Sequence, residues 1–395
     1  MNSGRYVLIQ QAITLFLLTL AVRATNNMIN TTVPLLAKYV LSFNNTLVGA
    51  LVAVIFIANF ISVTYLNARL EARIRRRIFI VANGIVPLLL LLYFLGNPVI
   101  TWVAAVITGV AYGFIMPNIL TAAGIAGDQL TAERFLALYA LALSTSLIIG
   151  PSIESYLLSF VSYRLVFLFF IPMALVSFAL SWRVPFPSNE ARSRDSVVSD
   201  GIFRNRGFLS AVLAITGYNV PFIAFTAFIA IYAMDVFHVN KALAYSVFIP
   251  FFTTSFITRL FMTIRPLKYL FMPMLASLVM TAVGLLLMFM APSYLVFLLA
   301  MALLGIPHGS VFTMSTIIIS RNVELGLRNR ANSYFSAYMS ILSIVVPPLF
   351  GFMSDVVGIR LAMFLLIIPV IVMTALFTHV YRGVEGPILN FKFMR

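Results

Sequence analysis

Apolar segments of about 20 residues recur from one end of this 395-residue chain to the other. Wound as α-helix, a segment of that length crosses the ~30 Å hydrocarbon core of a bilayer. Within that core each backbone N–H and C=O must be satisfied inside its own segment, which leaves helix as the way to use such runs. The pattern predicts twelve helices, over residues 7–37, 44–68, 77–96, 98–125, 131–160, 163–183, 206–234, 241–263, 268–291, 293–319, 329–356 and 359–382. A membrane β-barrel would instead show alternating segments of ~10 residues. Composition agrees: 62% of residues are hydrophobic and 9% charged, against about 25% charged in a soluble domain. The first apolar run is too long for a cleaved signal peptide and lacks a small-residue cleavage site.

A net charge of +15 raises the question of nucleic acid, and its distribution answers it. Most of the 26 Lys and Arg residues fall in loops and helix ends on one side of the expected bilayer, with Arg69, Arg73, Arg75, Arg76 and Arg77 as the densest group. Lys38, Arg164, Lys241 and Arg360 fall on the other side, and Arg23 on neither. Positive loops mark the cytoplasmic face. The expected placement is therefore a multi-pass cell-membrane protein with both termini cytoplasmic, and no nucleic-acid partner is needed. The chain has no cysteine, so disulfides, thiolate metal sites and cysteine nucleophiles are excluded. His238, His308 and His379 lie far apart, in no metal-binding spacing. No metal, cofactor or enzymatic activity is expected, and a monomer is.

Residues 183–206, "RVPFPSNEARSRDSVVSDGIFRNR", are polar and read as a linker between a six-helix bundle over 1–182 and a second over 207–395. The halves repeat. At an offset of 196, Gly109 falls on Gly305, Gly113 on Gly309, Arg134 on Arg330 and Arg164 on Arg360; at 197, Pro151 falls on Pro348 and Pro172 on Pro369. An even number of helices per half makes the repeat parallel. Parallel repeats of this kind belong to one transporter architecture, with its site near the membrane midplane.

Twelve helices as six plus six around a basic cytoplasmic linker resemble the major facilitator superfamily over the whole chain. The loop between helices 2 and 3, "NARLEARIRR" at 67–76, is similar to the family's G-x-x-x-D-R-x-G-R-R. Asn67 stands for the Gly, Glu71 for the Asp, and Arg75 and Arg76 for the basic pair; Ala72 and Ile74 depart from it. The resemblance implies a conformational gating role for Glu71, Arg75 and Arg76, and plain positive-inside charge is the other reading. In helix 5, Gly150 and Pro151 match the family's antiporter signature G-P-x-x-G-G, but Glu154 and Ser155 stand at its last two glycines. "PPLFG" at 347–351 is the parallel stretch of helix 11, and a packing bend explains both.

Polar residues interrupt helix 1 at "RATNNMINTT", residues 23–32. Arg23 lies ~24 Å along the helix from its expected start, too deep to reach the near surface. Such a charge faces a bundle interior or a wet cavity. Asn26, Asn27 and Asn30 share its face. At the 196 offset Arg23 falls on Asn219 of helix 7, and Tyr112 of helix 4 on His308 of helix 10. In the family these four helices line the central cavity. Arg23, Asn26, Asn27, Asn30, Tyr112, Asn219 and His308 are the candidate substrate-binding residues, with Asn118, Tyr139, Tyr218, Phe222, Phe312 and Tyr338 as secondary ones. Arg23 also has a structural alternative, a buried ion pair with Glu154. Glu154 and His308 are the titratable candidates for proton coupling.

No G-x-x-x-x-G-K-[ST] loop is present, which argues against ATP as the energy source. The expected function is secondary active transport of a small organic solute, proton-coupled, by alternating access. A lone arginine suits a monovalent organic anion. Proton-driven export of hydrophobic drugs or metabolites is the alternative if Glu154 neutralises Arg23, and a non-transporting scaffold or sensor is the alternative of another class.

Overall fold

A computed structural model describes residues 2–125, 129–186, 201–265, 267–324 and 327–385. Most of the expected linker, 187–200, lies outside the described residues. Among the described residues fourteen α-helices follow in order: α1 (Asn2–Tyr39), α2 (Asn45–Ile61), α3 (Ala72–Leu95), α4 (Pro98–Ala123), α5 (Gln129–Leu158), α6 (Tyr163–Ser181), α7 (Arg206–Phe237), α8 (Lys241–Ser246), α9 (Phe248–Ile264), α10 (Phe271–Met290), α11 (Tyr294–Asn322), α12 (Arg328–Val357), α13 (Ile359–Leu365) and α14 (Ile367–Glu385). There is no strand among the described residues. Together α8 and α9 make one span, and α13 and α14 another, so 12 described segments are long and apolar enough to cross a membrane.

Helix ends follow local chemistry. Asn44, Asn97, Ser162, Asn205 and Ser293 each accept a backbone N–H of the first turn through the side chain, which satisfies a donor the helix cannot. Val247 and Leu366, which join the paired pieces, keep αR backbone, and Pro250 and Pro369 have no N–H to offer the Ser246 and Leu365 carbonyls four residues earlier. α3 begins at Ala72 instead of 77. Its first turns hold Arg73, Arg75, Arg76 and Arg77, good helix formers whose long side chains let the helix run past the apolar layer. Before it, α2 continues through a π-helical turn at Ser62–Leu66 and a 3-10 turn at Asn67–Arg69.

The chain forms two compact units. Unit 1 is Met1–Arg194 with Asn240–Ser246 and Pro347–Gly351; unit 2 is Asp195–Val239, Val247–Val346 and Phe352–Arg395. Two short pieces of the later sequence therefore belong to the earlier unit. In unit 1, α1 packs on α5 and α6, α2 on α4, and α3 on α4 and α6. In unit 2, α11 packs on α7, α9 and α10, and α14 on α7 and α10. The core of unit 2 includes Phe208, Ile215, Leu278, Met314, Phe335 and Phe377.

The repeat holds at the level of atoms. A Cβ at Gly109 of α4 would collide with the Ile55 carbonyl and with Ala58 of α2; one at Gly305 of α11 would collide with the Phe251 carbonyl and with Thr254 of α9. Ile55 and Ala58 shifted by 196 are Phe251 and Thr254. Gly113 meets Asn59 and Ser62, and Gly309 meets their counterparts Ser255 and Thr258. Each glycine lets two helix backbones approach where a side chain would hold them apart.

Candidate functional site

Arg23 stands near the middle of the membrane span Leu8–Tyr39 of α1. Arg23, Asn26, Asn27 and Asn30 are half-buried, while Val22, Ala24, Thr25, Met28 and Ile29 around them are buried. The side-chain amide of Asn30 donates to Asn26 Oδ1 at 3.4 Å. Closer to the arginine, buried polar atoms find no partner among the described residues: Arg23 Nε, Asn27 Nδ2 and the hydroxyl of Tyr112 on α4 make no hydrogen bond there. Tyr112 and Tyr139, from α4 and α5, are the electrostatic neighbours of Arg23. Buried polar groups are nearly always satisfied; Thr19, Ser62, Asn83 and Ser315 each hold an unpaired side-chain oxygen as well, and the Arg23 group differs in bringing a guanidinium, an amide and a phenol to one place.

The alternative of a buried Arg23–Glu154 ion pair is not what this structure contains. Glu154 is fully buried in α5, and its carboxyl is bound by hydroxyls. Thr32 donates to one oxygen, Thr31 approaches the other at 3.5 Å, and Tyr245 of α8 bonds to Thr31 and to Glu154 itself. Beside it, Ser155 Oγ donates to the Ala242 carbonyl at 2.8 Å. Both positions that break the G-P-x-x-G-G pattern thus carry side chains that grip α8. The sequence alone does not single out Thr31, Thr32 and Tyr245, although the two threonines close the polar run of α1.

In unit 2, His308 of α11 is buried and satisfied. Its Nδ1 shares a 2.5 Å hydrogen bond with the Tyr218 hydroxyl of α7. Phe222 stacks on the imidazole at 4.3 Å between ring centroids, with Phe251 and Phe252 at 5.1 and 5.6 Å. Arg259 of α9 donates to the His308 carbonyl at 3.4 Å and acts electrostatically on both His308 and Tyr218. By charge distribution alone Arg259 would count among the cytoplasmic end charges. Asn219, the mate of Arg23, is half-buried on α7. Tyr338 pairs with Thr216 at 2.6 Å, and Phe312 is 44% exposed on the unit's surface.

The loop at 67–76 is tied down through its departures from the family pattern. Asn67 Oδ1 accepts from Asn118 Nδ2 at 2.9 Å, and Asn118 also donates to the Phe114 carbonyl. Asn118 thus joins this loop to α4. Glu71 is exposed at the start of α3 and makes no side-chain cap bond there. Arg75 is buried, and Arg76 donates to the Trp182 carbonyl at 3.2 Å.

Comparison with known proteins supplies the class. The chain superposes on a bacterial homolog of the human lysosomal transporter Spinster in an inward-facing, occupied conformation with a TM-score of 0.72, at 14% identity and 97% coverage of each chain. It superposes on the nucleoside transporter NupG with a TM-score of 0.69, at 14% identity, over 94% of this chain and 100% of that one. A POT family transporter in complex with 5-aminolevulinic acid gives 0.78 at 9% identity, over 95% and 97%. At these identities the likeness concerns the fold. No curated protein matches the sequence significantly. The sequence profile of the Major Facilitator Superfamily, however, matches residues 15–268 and 271–393, nearly the whole chain. With its 12 apolar spans and its repeated glycine contacts, the chain is a multi-pass secondary transporter of small molecules, not an enzyme, and belongs to the Major Facilitator Superfamily.

Proposed function

We propose that this transporter carries a small monovalent organic anion, anchored by Arg23, in symport or antiport with protons. The observation that carries the reading is the set of donors without acceptors: Arg23 Nε, Asn27 Nδ2 and the Tyr112 hydroxyl. Such a set lacks what a carboxylate brings, two oxygens with several lone pairs. The guanidinium fork suits a carboxylate, and charge-assisted bonds are about twice as strong as neutral ones. Asn26 and Asn30, one and two turns along the same face, extend the polar surface toward the remainder of the solute. Asn219, at the place in the second repeat that matches Arg23, is proposed as a further substrate-binding residue, and His308, closed in by Tyr218 and Phe222, is kept as a candidate for the proton. One cation at the anchor fits one negative charge. Export of hydrophobic compounds rested on Glu154 neutralising Arg23, and Glu154 is engaged elsewhere.

The proton is assigned to Glu154 or His308, titratable groups buried within membrane spans. The protein is placed as a monomer in the cell membrane, with both termini and the 183–206 linker cytoplasmic, on the strength of the charge asymmetry. Glu71, Arg75 and Arg76 are proposed to bias the conformational equilibrium from the cytoplasmic side.

Reconstitution into proteoliposomes tests the reading. Under an imposed pH gradient the vesicles are expected to accumulate a radiolabelled monocarboxylate from a panel that also holds neutral and cationic solutes. Arg23→Gln should abolish that uptake while leaving thermal melting in detergent near wild type. Uptake of neutral solutes alone would refute the anion reading, and so would uptake of none of the monocarboxylates. Glu154→Gln or His308→Asn, whichever residue carries the proton, should retain exchange of substrate and lose accumulation driven by pH. Should both variants still accumulate, proton coupling through these groups is wrong.

A further inference from the structure

Unit 1 carries a groove between α1, α5 and α6 that the transport reading leaves unused. α1 packs on both α5 and α6, while those two meet each other little. The gap has a volume of about 380 Å³. Ala21 and Phe170 are buried at its floor, and Leu17, Phe169 and Val176 stand exposed at its rim. Every lining side chain is apolar, so water finds no partner there. The lining residues all lie within membrane spans. The groove therefore opens on hydrocarbon, and an acyl chain is the occupant whose chemistry fits it.

A cation stands at a headgroup's distance from that groove. Arg183, two residues past the end of α6, lines a small cavity together with Gln11 and Thr14 of α1. Arg183 and Gln11 therefore share one level, and two helices measure how far the groove lies from it. Along α6, Val176 and Phe169 precede Arg183 by seven and fourteen residues, about 10 and 21 Å. Along α1, Leu17 and Ala21 follow Gln11 by six and ten residues, about 9 and 15 Å. Half of the hydrocarbon core is about 15 Å, so a chain descending from a headgroup at Arg183 runs through the groove. Trp182, beside Arg183, is 57% exposed and has the amphipathic ring favoured at the membrane–water interface. Its carbonyl accepts from Arg76 Nη2 at 3.2 Å, which brings the exposed Arg73, Arg76 and Arg77 of α3 to the same end. Charge asymmetry accounts for an arginine at this end. It does not account for an open apolar groove at acyl-chain depth from it.

We propose that unit 1 binds one anionic phospholipid, with an acyl chain in the α1–α5–α6 groove and its phosphate on Arg183, where the Gln11 amide adds a neutral donor. The arginines at this end select a net negative lipid over a zwitterionic one. Arg23, Asn27 and Tyr112 take no part, so the lipid site and the anion reading stand or fall separately.

Photolabelling of the full-length protein in phosphatidylcholine nanodiscs tests the proposal. The probes are phosphatidylglycerol and phosphatidylcholine, each with a diazirine in mid-chain, and labelled peptides are read by mass spectrometry. The phosphatidylglycerol probe should label peptides holding Leu17–Ala21 and Phe169–Val176 about 5-fold more than the phosphatidylcholine probe does. Both probes should label α10 equally at its exposed Val279 and Val283. Arg183→Gln should bring the preference at the groove to about one. Val176→Trp closes the groove mouth and should bring its labelling down to that of α10. Both substitutions fall at exposed positions, and the wild-type comparison of the two probes stands without either variant. Groove labelling no higher than on α10 would mean annular lipid only and would overturn the proposal. So would equal labelling by the two probes, or a preference that survives Arg183→Gln. Labelling by a free diazirine fatty acid as strong as by phosphatidylglycerol would give the groove to a different ligand and overturn it as well.

Discussion

Two regions at matched places in the repeat have opposite hydrogen-bond character. Around Arg23 in unit 1, the Arg23 Nε, the Asn27 amide and the Tyr112 hydroxyl are buried without acceptors. Around His308 in unit 2, the imidazole is bonded to Tyr218 and covered by Phe222, and Arg259 caps its carbonyl. Tyr112 and His308 are mates at the 196 offset, each followed by a glycine that packs on the same counterpart of a neighbouring helix. The backbone frame is therefore shared and the chemistry is not. One region satisfies itself, and the other is left with donors that a ligand would satisfy. Polarity in a membrane helix marks both alike, so hydrogen-bond satisfaction is the property that separates them.

The sharpest way to break that contrast is to remove the charge from the unsatisfied side. A hydrogen bond to a charged group contributes about 1.5–3 kcal/mol, so Arg23→Gln should weaken binding of the transported anion by roughly 10- to 100-fold. Isothermal titration of the purified protein reads this directly. Arg259→Gln in unit 2 should change affinity far less and melting temperature more, because Arg259 is engaged with His308 and Tyr218. If the two substitutions changed affinity equally, the division between a receiving and a self-satisfied region would fall.

A test of the shared frame has the next largest effect. Gly109→Ala and Gly305→Ala each place a methyl group against a helix backbone. Overpacking of this kind costs about 1–3 kcal/mol. Thermal unfolding of the two variants in matched detergent should show losses of similar size, since the residues they strike are themselves repeat mates. A large loss at one glycine and none at the other would mean that the repeat is a likeness of sequence without equal packing.

One side of the contrast is legible in the amino-acid sequence, and the other is not. Hydropathy places the 12 spans because the bilayer fixes helix length. Arg23, Asn27 and Tyr112 stand out because a charge at mid-depth needs an unusual environment and the repeat offers a second witness. What stays hidden depends on how helices turn toward each other. Arg259 reads as an end charge from its place near the close of α9, yet its side chain reaches the His308 carbonyl. Asn118 reads as a cavity residue and is a tie to Asn67. Glu154 reads as a partner for Arg23, whereas the hydroxyls of Thr31 and Thr32 lie nearer to it. No period along a single helix encodes those choices.

The finest discrimination comes from one oxygen atom on each side. Tyr112→Phe removes a hydroxyl that has no partner among the described residues. Folding loses no hydrogen bond, and an unsatisfied buried polar atom disappears, so stability should hold or rise slightly. Anion binding loses one neutral donor, worth about 0.5–1.5 kcal/mol, and affinity should fall roughly 2- to 10-fold. Tyr218→Phe removes the partner of His308 Nδ1. There the imidazole is left with an unpaired buried nitrogen, a cost of about 1–3 kcal/mol in stability, while the Arg23 region is untouched. The two variants should thus separate on a plot of melting temperature against affinity, Tyr112→Phe moving along the affinity axis and Tyr218→Phe along the stability axis. Movement of Tyr112→Phe along the stability axis instead would show that its hydroxyl serves the fold, and the case for a receiving site around Arg23 would lose one of its three donors.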